Sequence, residues 1–376
     1  MALDPVEDLV LNYDPEQPQP RFAGAAPHIS SQSVSERLPQ QVPWPAGLAP
    51  KAAPLPKPPA ATEDLTKFEG YDAIVVTWTS AEAAALGAMF TPDYLPSQWY
   101  EYRHDVASYI PLVTGGDAPF NDNTPDMARY YHSLGLYFPC TIGSRRVLLF
   151  KSGLHLDYDG PATPVRKLMQ QLVAEVKPKV FITTGTGGGI GTEVVLGDVV
   201  IAGTTRFDCT TQFAKQPFAN SAFETTPLPS SALSLLTPDL LRVNAAKVPN
   251  ARTVPKIWSG ETATIVTTDF FGFDDSTDYY KLQGKGQVCD MGDAMVGDAL
   301  STEAGLSWFA IRNASDPQIP DPTGNIQAAK KTAGQIYMEY GAFTTAASAI
   351  AAWATVTAFF GERPSRARAQ SASRSA

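Results

Sequence analysis

Cysteine and histidine are scarce in this chain of 376 residues, which has three cysteines and four histidines. Cys140, Cys209 and Cys289 stand far apart, so the sequence has neither a zinc-finger spacing nor a disulfide framework. No two histidines have the spacing of metal ligands. This scarcity argues against a metal site and favours a reducing compartment, the cytoplasm. We predict neither a metal nor an organic cofactor.

An excess of positive charge is also absent. The chain has 29 lysines and arginines against 38 aspartates and glutamates, a formal net charge of -9. This balance gives no general attraction to nucleic acid or to an anionic membrane, so we predict a small-molecule partner. The opening stretch MALDPVEDLVLNYDPEQPQP is acidic and interrupted by proline, unlike a secretory signal, which has a basic segment and then an apolar one.

One apolar run, GAFTTAASAIAAWATVTAFF at residues 341–360, has the length of a membrane span. The basic stretch RPSRARAQ follows it and would suit a tail anchor. Its apolar residues are mostly alanine, however, and the preceding AAKKTAGQIYMEY has the amphipathic pattern of the same helix. We predict a buried C-terminal helix and no membrane contact.

Proline is concentrated at the start of the chain, in runs such as PWPAGLAPKAAPLPKPPAA that sustain neither a helix nor a central strand. We predict a proline-rich arm or linker, irregular in structure, over residues 1–65. One domain would span residues 66–360, and a disordered basic tail would span 361–376. Within the domain, short apolar runs alternate with helical stretches, which is typical of an α/β sandwich around a sheet.

Local patterns place the elements of this domain. YDAIVVTWT is typical of a strand, and SAEAAALGAMF of a helix that Ser80 caps. ATPVRKLMQQLVAEVKP and DMGDAMVGDALSTEAG are predicted to be helical, the first with Val165, Leu168, Leu172 and Val176 on one face. Further strands are predicted in RRVLLFKSG, KVFITTGTGGG, GDVVIAGTTRFD, VPKIWSGETATIVTT and SWFAIRNASDP, which ends at Pro317.

Five glycines fall between Gly185 and Gly191, in what we interpret as a loop after the strand KVFITT. A Walker loop needs a lysine after its last glycine, and none follows here; in the dinucleotide motif G-x-G-x-x-G, the last position is occupied by Ile190. Both motifs also open a helix, whereas this segment leads into the strand-like TEVVLGDVVIAG. The segment therefore argues against a nicotinamide-dependent or P-loop enzyme.

Four segments follow one another along the chain: TGTGGGIG, LGDVVIA, VCDMGDAMVG and IRNASDPQ. In this order they resemble the nucleoside phosphorylase and nucleosidase superfamily of the purine and uridine phosphorylase type, over about residues 71–360. With YDAIVVTWTSAEAAAL before these segments, the sequence resembles the methylthioadenosine/S-adenosylhomocysteine nucleosidases most. The resemblance implies a three-layer α/β/α sandwich with a mixed central β-sheet, in a homodimer or higher homo-oligomer.

The resemblance implies hydrolysis of the N-glycosidic bond of a purine nucleoside or nucleoside derivative. Glu82 stands where nucleosidases keep the carboxylate that activates water, and Asp316 where the family keeps the acid that protonates the purine. Without the resemblance, Glu82 would be a first-turn glutamate that stabilises a helix, and Asp316 the start of an Asp-Pro turn. Burial after the apolar WFAI would raise the pKa of Asp316, as a general acid requires. Arg312 is expected to structure the loop rather than to bind substrate.

The same resemblance implies a pocket for the sugar and the base. The family's ribose-binding glutamate is replaced here by Gly292, so an aspartate serves the sugar from a displaced position, the sugar differs, or that function is lost. Trp258, Phe270 or Phe271 would stack on the base. The residues implied for substrate binding are Gly185, Thr186, Gly187, Gly188, Asp290, Met291, Asp293 and Ser315, which would orient Asp316.

Two other functions stay open. The arginine that holds phosphate in the phosphorylases has no counterpart in ITTGT, and a buried dianion without a cation is costly, so water is favoured as the nucleophile. Arg103, Arg145 or Arg206 would have to reach in from another loop. A phosphate-dependent phosphorylase is therefore one alternative. The other is a non-catalytic nucleoside- or nucleotide-binding module, which Gly292 and the long arm would suit.

Overall fold

A computed structural model describes residues 42–109, 111–112, 134–154, 156, 163–242 and 251–361. The predicted arm before residue 42 and the predicted tail after residue 361 lie outside these ranges. The strands are β1 (Pro50–Ala52), β2 (Ala73–Thr77), β3 (Tyr100–Tyr102), β4 (Gly135–Ile142), β5 (Arg145–Ser152), β6 (Val180–Gly189), β7 (Val199–Ile201), β8 (Thr204–Asp208), β9 (Ala222–Glu224), β10 (Ile257–Trp258), β11 (Thr264–Thr268), β12 (Val288–Asp290) and β13 (Ser307–Asp316).

Helices connect these strands. Short 3-10 turns occur at Thr66–Phe68, Pro96–Gln98 and Val106–Ser108. The α-helices of the described residues are α1 (Ser80–Phe90), α2 (Pro164–Val176), α3 (Ser230–Leu235), α4 (Pro238–Leu241), α5 (Asp293–Leu300) and α6 (Ile326–Phe359).

The strands form one mixed sheet with β6 at its centre. Along the sheet, the strand order is β1-β4-β5-β2-β6-β12-β11-β8-β9. β6 runs parallel to β2 and β13 and antiparallel to β12. β13 also pairs with β7, which carries β10, and β3 pairs with β4. Because β6 contacts three strands, any side chain at its carboxyl end lies near several other strand ends.

Helices cover both faces of the sheet. Successive side chains of a strand point to opposite faces, so Ile74 and Val76 pack with residues of α2 and α5, whereas Ala73 and Val75 pack with residues of α1 and α6. A strand covered on both sides is apolar throughout, which explains the run AIVVT of β2. The predicted three-layer α/β/α sandwich with a mixed central sheet is confirmed.

Most predicted elements are present, and several differ in their bounds; the strand predicted in VPKIWSGETATIVTT, for example, is split into β10 and β11. Thr79, not Ser80, is the N-cap of α1, because Thr79 keeps an extended backbone (φ -84°, ψ 160°) and its side chain accepts from the Glu82 N–H. The stretch DMGDAMVGDALSTEAG starts with the last residue of β12, and its helix runs only from Asp293 to Leu300. The strand predicted in GDVVIAGTTRFD is split into β7 and β8.

The strand predicted in KVFITTGTGGG is confirmed as far as Gly189, so the interpretation of the glycine-rich segment as a loop is wrong. Residues from Gly185 to Gly189 continue β6, and the pairing with β13 extends to Gly188. The bare backbone lets neighbours approach closely: a Cβ on Gly187 would stand 2.7 Å from the Cys289 carbonyl oxygen. The glycines therefore allow close packing of β6 against β12.

The C-terminal helix α6 has 34 residues and joins the two segments predicted to form one helix. Its stretch Glu339–Phe359 is long and apolar enough to cross a membrane, and 94% of that window is buried inside the protein. Trp353 Nε1 donates to the carbonyl oxygen of Leu48 at 2.7 Å, so the described part of the predicted arm packs against α6. Within that part, residues 42–65, β1 is the one strand, and it pairs with β4.

Candidate active site

Four chain segments converge at the carboxyl end of β6. In the register of β6 with β13, Arg312 lies opposite Gly185 and Asp316 lies opposite Gly188. The turn from β2 into α1 brings Glu82 against Gly185, and the turn from β12 into α5 brings Asp293 to Arg312. Residues far apart in sequence thus form one buried group of charges.

Glu82 is a buried carboxylate at the start of α1, 2% exposed. Arg312 Nη1 lies 3.5 Å from its Oε1. Although burial opposes ionisation, Arg312 and the hydrogen bonds from Thr186 hold the pKa of Glu82 below its ordinary value. Its other donors are Thr186 N and Oγ1 to Oε1 at 2.7 Å each, and Thr77 Oγ1, Trp78 N and Thr79 N to Oε2 at 2.8, 2.9 and 3.0 Å.

The glycines of β6 leave space for these side chains. A Cβ on Gly185 would stand 2.4 Å from the Glu82 carboxyl carbon, so any larger residue would expel the carboxylate. A Cβ on Gly188 would lie 3.1 Å from Cys289 Sγ and 3.2 Å from Asp316 Oδ2. The missing side chains therefore make room for protein atoms.

Arg312 is the centre of the charged group. It donates to Asp293 in the bidentate manner, from Nε to Oδ2 at 2.8 Å and from Nη2 to Oδ1 at 2.7 Å. Nη2 also lies 3.1 Å from Asp290 Oδ2. Burial disfavours the charged guanidinium, but Asp293 and Asp290 raise the pKa of Arg312 and keep it charged. Three carboxylates, those of Glu82, Asp290 and Asp293, thus share one cation.

The Asp290 carboxylate accepts hydrogen bonds from groups of the protein itself. Its Oδ2 accepts from the N–H groups of Gly292 and Asp293 at 3.1 and 2.8 Å, and its Oδ1 accepts from Thr267 Oγ1 at 2.6 Å. Burial and the neighbouring Asp293 raise the pKa of Asp290. Asp290 therefore holds the first turn of α5 in place, and Met291, in the same turn, is half-buried.

Asp316 is as buried as Glu82, yet it is poorly hydrogen-bonded. Ser315 Oγ lies 3.0 Å from its Oδ1 and 3.2 Å from the carbonyl oxygen of Gly187. Within the described chain, Asp316 Oδ2 has no hydrogen-bond partner. Burial raises the pKa of Asp316 to about 7. The irregular pairing between Ala314 and Asp316 re-aims the end of β13, as bulges beside active sites do.

The candidate base-stacking residues differ in position. Phe270 stacks on Tyr280 with a centroid distance of 4.6 Å, and Phe271 leads into Gly272, whose carbonyl oxygen would be 3.1 Å from a Cβ on Gly188. Trp258 lies on β10, beyond β7, where Lys256 Nζ is 3.1 Å from its ring centre. The segment with Phe270 and Phe271 is therefore the one beside Asp316.

The three arginines considered for a phosphate site, Arg103, Arg145 and Arg206, lie on other segments of the chain. Arg103 Nη2 pairs with Glu101 at 2.6 Å, and Arg145 lies over the Phe360 ring at 4.9 Å. Arg206 lies on β8, and its Nε has no hydrogen-bond partner among the described residues. Arg312 is the cation that contacts Glu82.

Sequence reasoning missed three contributors to this site. Trp78 donates its backbone N–H to Glu82. The sequence indicated this contact only through the position of Trp78, four residues before Glu82 in a strand-like run. Tyr337 donates from Oη to Thr79 Oγ1 at 2.8 Å across 258 residues of sequence, and no local pattern indicates this contact. The central place of Arg312 was also missed, although its segment was part of the resemblance.

A sequence profile described as the phosphorylase superfamily matches residues 105–342 of the chain. The chain belongs to the phosphorylase superfamily. The match includes the glycine half of β6, the turn into α5 and the end of β13, and it begins after Glu82. Proteins of the phosphorylase superfamily are enzymes that act on N-glycosidic bonds, and this chain is one of them.

Solved structures of the phosphorylase superfamily fold resemble this chain at low identity, and no curated protein matches it in sequence. The 5'-methylthioadenosine/S-adenosylhomocysteine nucleosidase from Neisseria meningitidis, in complex with methylthio-immucillin-A, is 15% identical with a TM-score of 0.44, over 76% of this chain and 98% of that chain. The corresponding nucleosidase from Colwellia psychrerythraea 34H, in complex with adenine, is 14% identical with a TM-score of 0.44, over 77% and 96%. Futalosine hydrolase of Helicobacter pylori strain 26695 is 12% identical with a TM-score of 0.43, over 76% and 97%.

Proposed function

We propose that this enzyme hydrolyses the N-glycosidic bond of a purine nucleoside or nucleoside derivative. The observation that supports this most directly is Asp316: a buried carboxyl group with a pKa raised to about 7 and an oxygen, Oδ2, that has no partner within the described chain. A general acid near neutral pH needs both a raised pKa and a free oxygen. Asp316 lies beside Gly188, on the strand that also carries Arg312.

In the proposed reaction, Asp316 donates its proton to a ring nitrogen of the departing purine. The bond between the anomeric carbon and the base breaks, and its electron pair leaves with the base. The oxygen of a water molecule forms the new bond to the anomeric carbon. One proton of that water passes to the Glu82 carboxylate. Ser315, 3.0 Å from Asp316 Oδ1, holds the carboxylate that remains.

The charged group suits the positive charge that develops on the sugar. Glu82, Asp290 and Asp293 surround one guanidinium, so the group carries net negative charge in a buried, preorganised setting. The Glu82 carboxylate already accepts five hydrogen bonds at 3.0 Å or less. A water molecule must therefore replace one donor, and the rotatable hydroxyl of Thr186 is the one best able to give way.

Water is favoured over phosphate as the nucleophile by the pairing of Arg312. Its guanidinium is bound at two nitrogens by Asp293, so a phosphate dianion beside Glu82 would meet carboxylates rather than a free cation. We also propose that the enzyme acts in the cytoplasm, as a homodimer or higher homo-oligomer. Light scattering would test the oligomeric state.

The test is a panel of purine nucleosides incubated with the purified chain with and without phosphate, and chromatography of the released base. Base release without phosphate is expected; release that requires phosphate would identify a phosphorylase, and no release from any nucleoside would favour a binding module. Asp316→Asn is expected to lower the rate by about 10²–10⁴-fold.

The matched control is Asp321→Asn. Asp321 is 5% exposed and, like Asp316, has an Oδ2 without a partner among the described residues, but it lies in the loop before α6. Its Oδ1 accepts from Asn325 N at 2.9 Å, which an asparagine preserves. Equal loss in the two variants would refute the assignment of Asp316 as the acid.

A further inference from the structure

Trp78 and Gly292 face each other beside Glu82. A Cβ on Gly292 would lie 3.4 Å from Cζ2 and 3.5 Å from Cε2 of Trp78, on the indole edge that carries Nε1. Trp78 is 3% exposed, and the Arg312 guanidinium carbon lies 4.9 Å from its ring centre. The indole therefore fills the space between Arg312 and the start of α5.

The carboxylates around this indole already accept hydrogen bonds from the protein. Glu82 accepts at both oxygens from the backbone and side chains of its neighbours, and Asp293 accepts at both oxygens from Arg312. Asp290 Oδ2 accepts from the first N–H groups of α5. A hydroxyl that enters here must compete with these hydrogen bonds or share an oxygen that already accepts one.

The unused group beside Gly292 is a donor. Nε1 of Trp78 is buried and has no hydrogen-bond partner among the described residues. A buried indole N–H normally finds a partner, because leaving it unpaired costs free energy. An oxygen of a bound molecule, accepting from Nε1, would remove that cost.

These observations bear on the sugar. A ribosyl nucleoside brings two neighbouring hydroxyl donors, and each needs an acceptor once it is buried. A 2'-deoxyribosyl nucleoside brings one fewer, and its apolar C2' can lie against the indole. We infer, given the proposed function, that Trp78 and Gly292 select nucleosides without a 2'-hydroxyl, with Nε1 donating to a remaining sugar oxygen.

The two positions act as a pair. A side chain longer than alanine at position 292 would run into the indole edge, since a Cβ alone already reaches ordinary contact distance. A large aromatic residue at position 78 thus requires glycine or alanine at position 292. The carboxylate that the resemblance leads one to expect at position 292 has its space taken by Trp78.

The experiment compares matched pairs of substrates: adenosine with 2'-deoxyadenosine, inosine with 2'-deoxyinosine, and guanosine with 2'-deoxyguanosine. We expect kcat/KM to favour the 2'-deoxy member by about tenfold or more, and Kd from titration calorimetry to favour it likewise. Trp78→Phe keeps a smaller ring beside Arg312, removes the N–H and leaves more room beside Gly292. Both substrates should lose the hydrogen bond, and the preference should shrink because the 2'-hydroxyl gains space. Equal or better use of the ribosyl members by the wild type would overturn the inference.

Trp308→Phe is the matched control. Trp308 is 6% exposed, and its Nε1 also has no partner within the described chain, but it lies near the start of β13, opposite Phe181. The sugar preference should be unchanged in this variant. If Trp308→Phe and Trp78→Phe shift the preference equally, the role of Trp78 is refuted.

The outcomes separate this inference from the proposed function. Tighter binding of 2'-deoxynucleosides without cleavage would refute hydrolysis and support the sugar preference, whereas equal cleavage of both sugars would do the reverse. Absence of binding would refute both. If Trp78→Phe does not fold, NMR of wild type carrying ¹⁵N-labelled tryptophan decides: one indole N–H signal must shift strongly with a 2'-deoxynucleoside, and no shift refutes the contact.

Discussion

Glu82 and Asp316 lie at opposite ends of the same glycine segment and are equally buried, each 2% exposed. Glu82 accepts hydrogen bonds at both oxygens and lies beside a guanidinium, and its pKa is lowered. Asp316 accepts from the Ser315 hydroxyl, the one hydrogen-bond donor to it among the described residues, and burial raises its pKa to about 7. Burial alone therefore does not set ionisation; the donors and the charges that surround a buried carboxyl group also do.

The contrast gives each end of the site a different capacity. The Glu82 end holds fixed negative charge, which can stabilise a cationic sugar. The Glu82 carboxylate gives up its hydrogen bonds only at a cost in free energy. The Asp316 end holds a proton near neutral pH, which can be passed to a leaving group. Four substitutions, ordered from the largest expected effect to the smallest, would break or sharpen this difference.

Arg312→Leu removes the cation from the Glu82 end and leaves three buried carboxylates unpaired. We expect the free energy of unfolding to fall by about 3–5 kcal/mol, measured by urea denaturation. The control Arg103→Leu removes a half-exposed guanidinium paired with Glu101, for which a loss of about 1 kcal/mol or less is expected. Similar losses in the two variants would show that the charged group stabilises little.

Asp316→Asn tests the raised pKa through stability. Between about pH 4 and 7, the folded protein holds the Asp316 proton and the unfolded chain releases it, so the contribution of this group to stability is lost as the pH rises. A shift from 3.8 to about 7 corresponds to a loss on the order of 4 kcal/mol across that window. The difference in unfolding free energy between wild type and Asp316→Asn should therefore favour the variant increasingly up to about pH 7. A difference independent of pH would mean that the pKa is not raised.

Glu82→Gln keeps the size of the side chain and places an amide NH₂ against groups that themselves donate. We expect a loss of about 1–3 kcal/mol in unfolding free energy, because buried donors are left unpaired. Glu224→Gln, on the exposed surface of β9, is the control and should change stability by no more than about 0.5 kcal/mol. If Glu82→Gln is as stable as the control, the carboxylate is not held as tightly as its contacts indicate.

Tyr337→Phe removes the hydroxyl that donates to Thr79 Oγ1, the cap of the helix that carries Glu82. The expected loss is about 0.5–1.5 kcal/mol, the usual contribution of one hydrogen bond. Tyr340→Phe, whose hydroxyl donates to the neighbouring Glu339 at the exposed surface, should have a smaller effect. Thermal denaturation compares the two variants. A larger fall in melting temperature for Tyr340→Phe than for Tyr337→Phe would contradict the role of Tyr337.

The fold was predictable because it depends on local patterns. Strand-like runs, the amphipathic face of α2 and the order of the glycine, aspartate and arginine segments are all visible in short windows. The side-chain contacts within the site were less predictable from the sequence. The Arg312–Asp293 pair and the contact between Tyr337 and Thr79 join residues distant in sequence, and their geometry depends on packing.

The glycine segment shows why local reading has limits. Glycine is common in loops, and a loop was the natural interpretation of five glycines. The structure uses their small size instead, because the Cys289 carbonyl and the Glu82 carboxylate occupy the space that side chains would need. Only the partners of a glycine reveal whether it serves flexibility or close approach.

Helix α6 has a consequence for how the protein is made. Its half from Ala342 to Val356 covers one face of the sheet, and it reaches back to Leu48 through Trp353 and to Asn313 through Ser348. A ribosome synthesises this helix after every strand of the sheet, so the apolar face that it covers stays bare while more than 300 residues are already outside. We therefore expect the nascent chain to expose this apolar surface until α6 emerges, and folding to be completed only after the synthesis of α6.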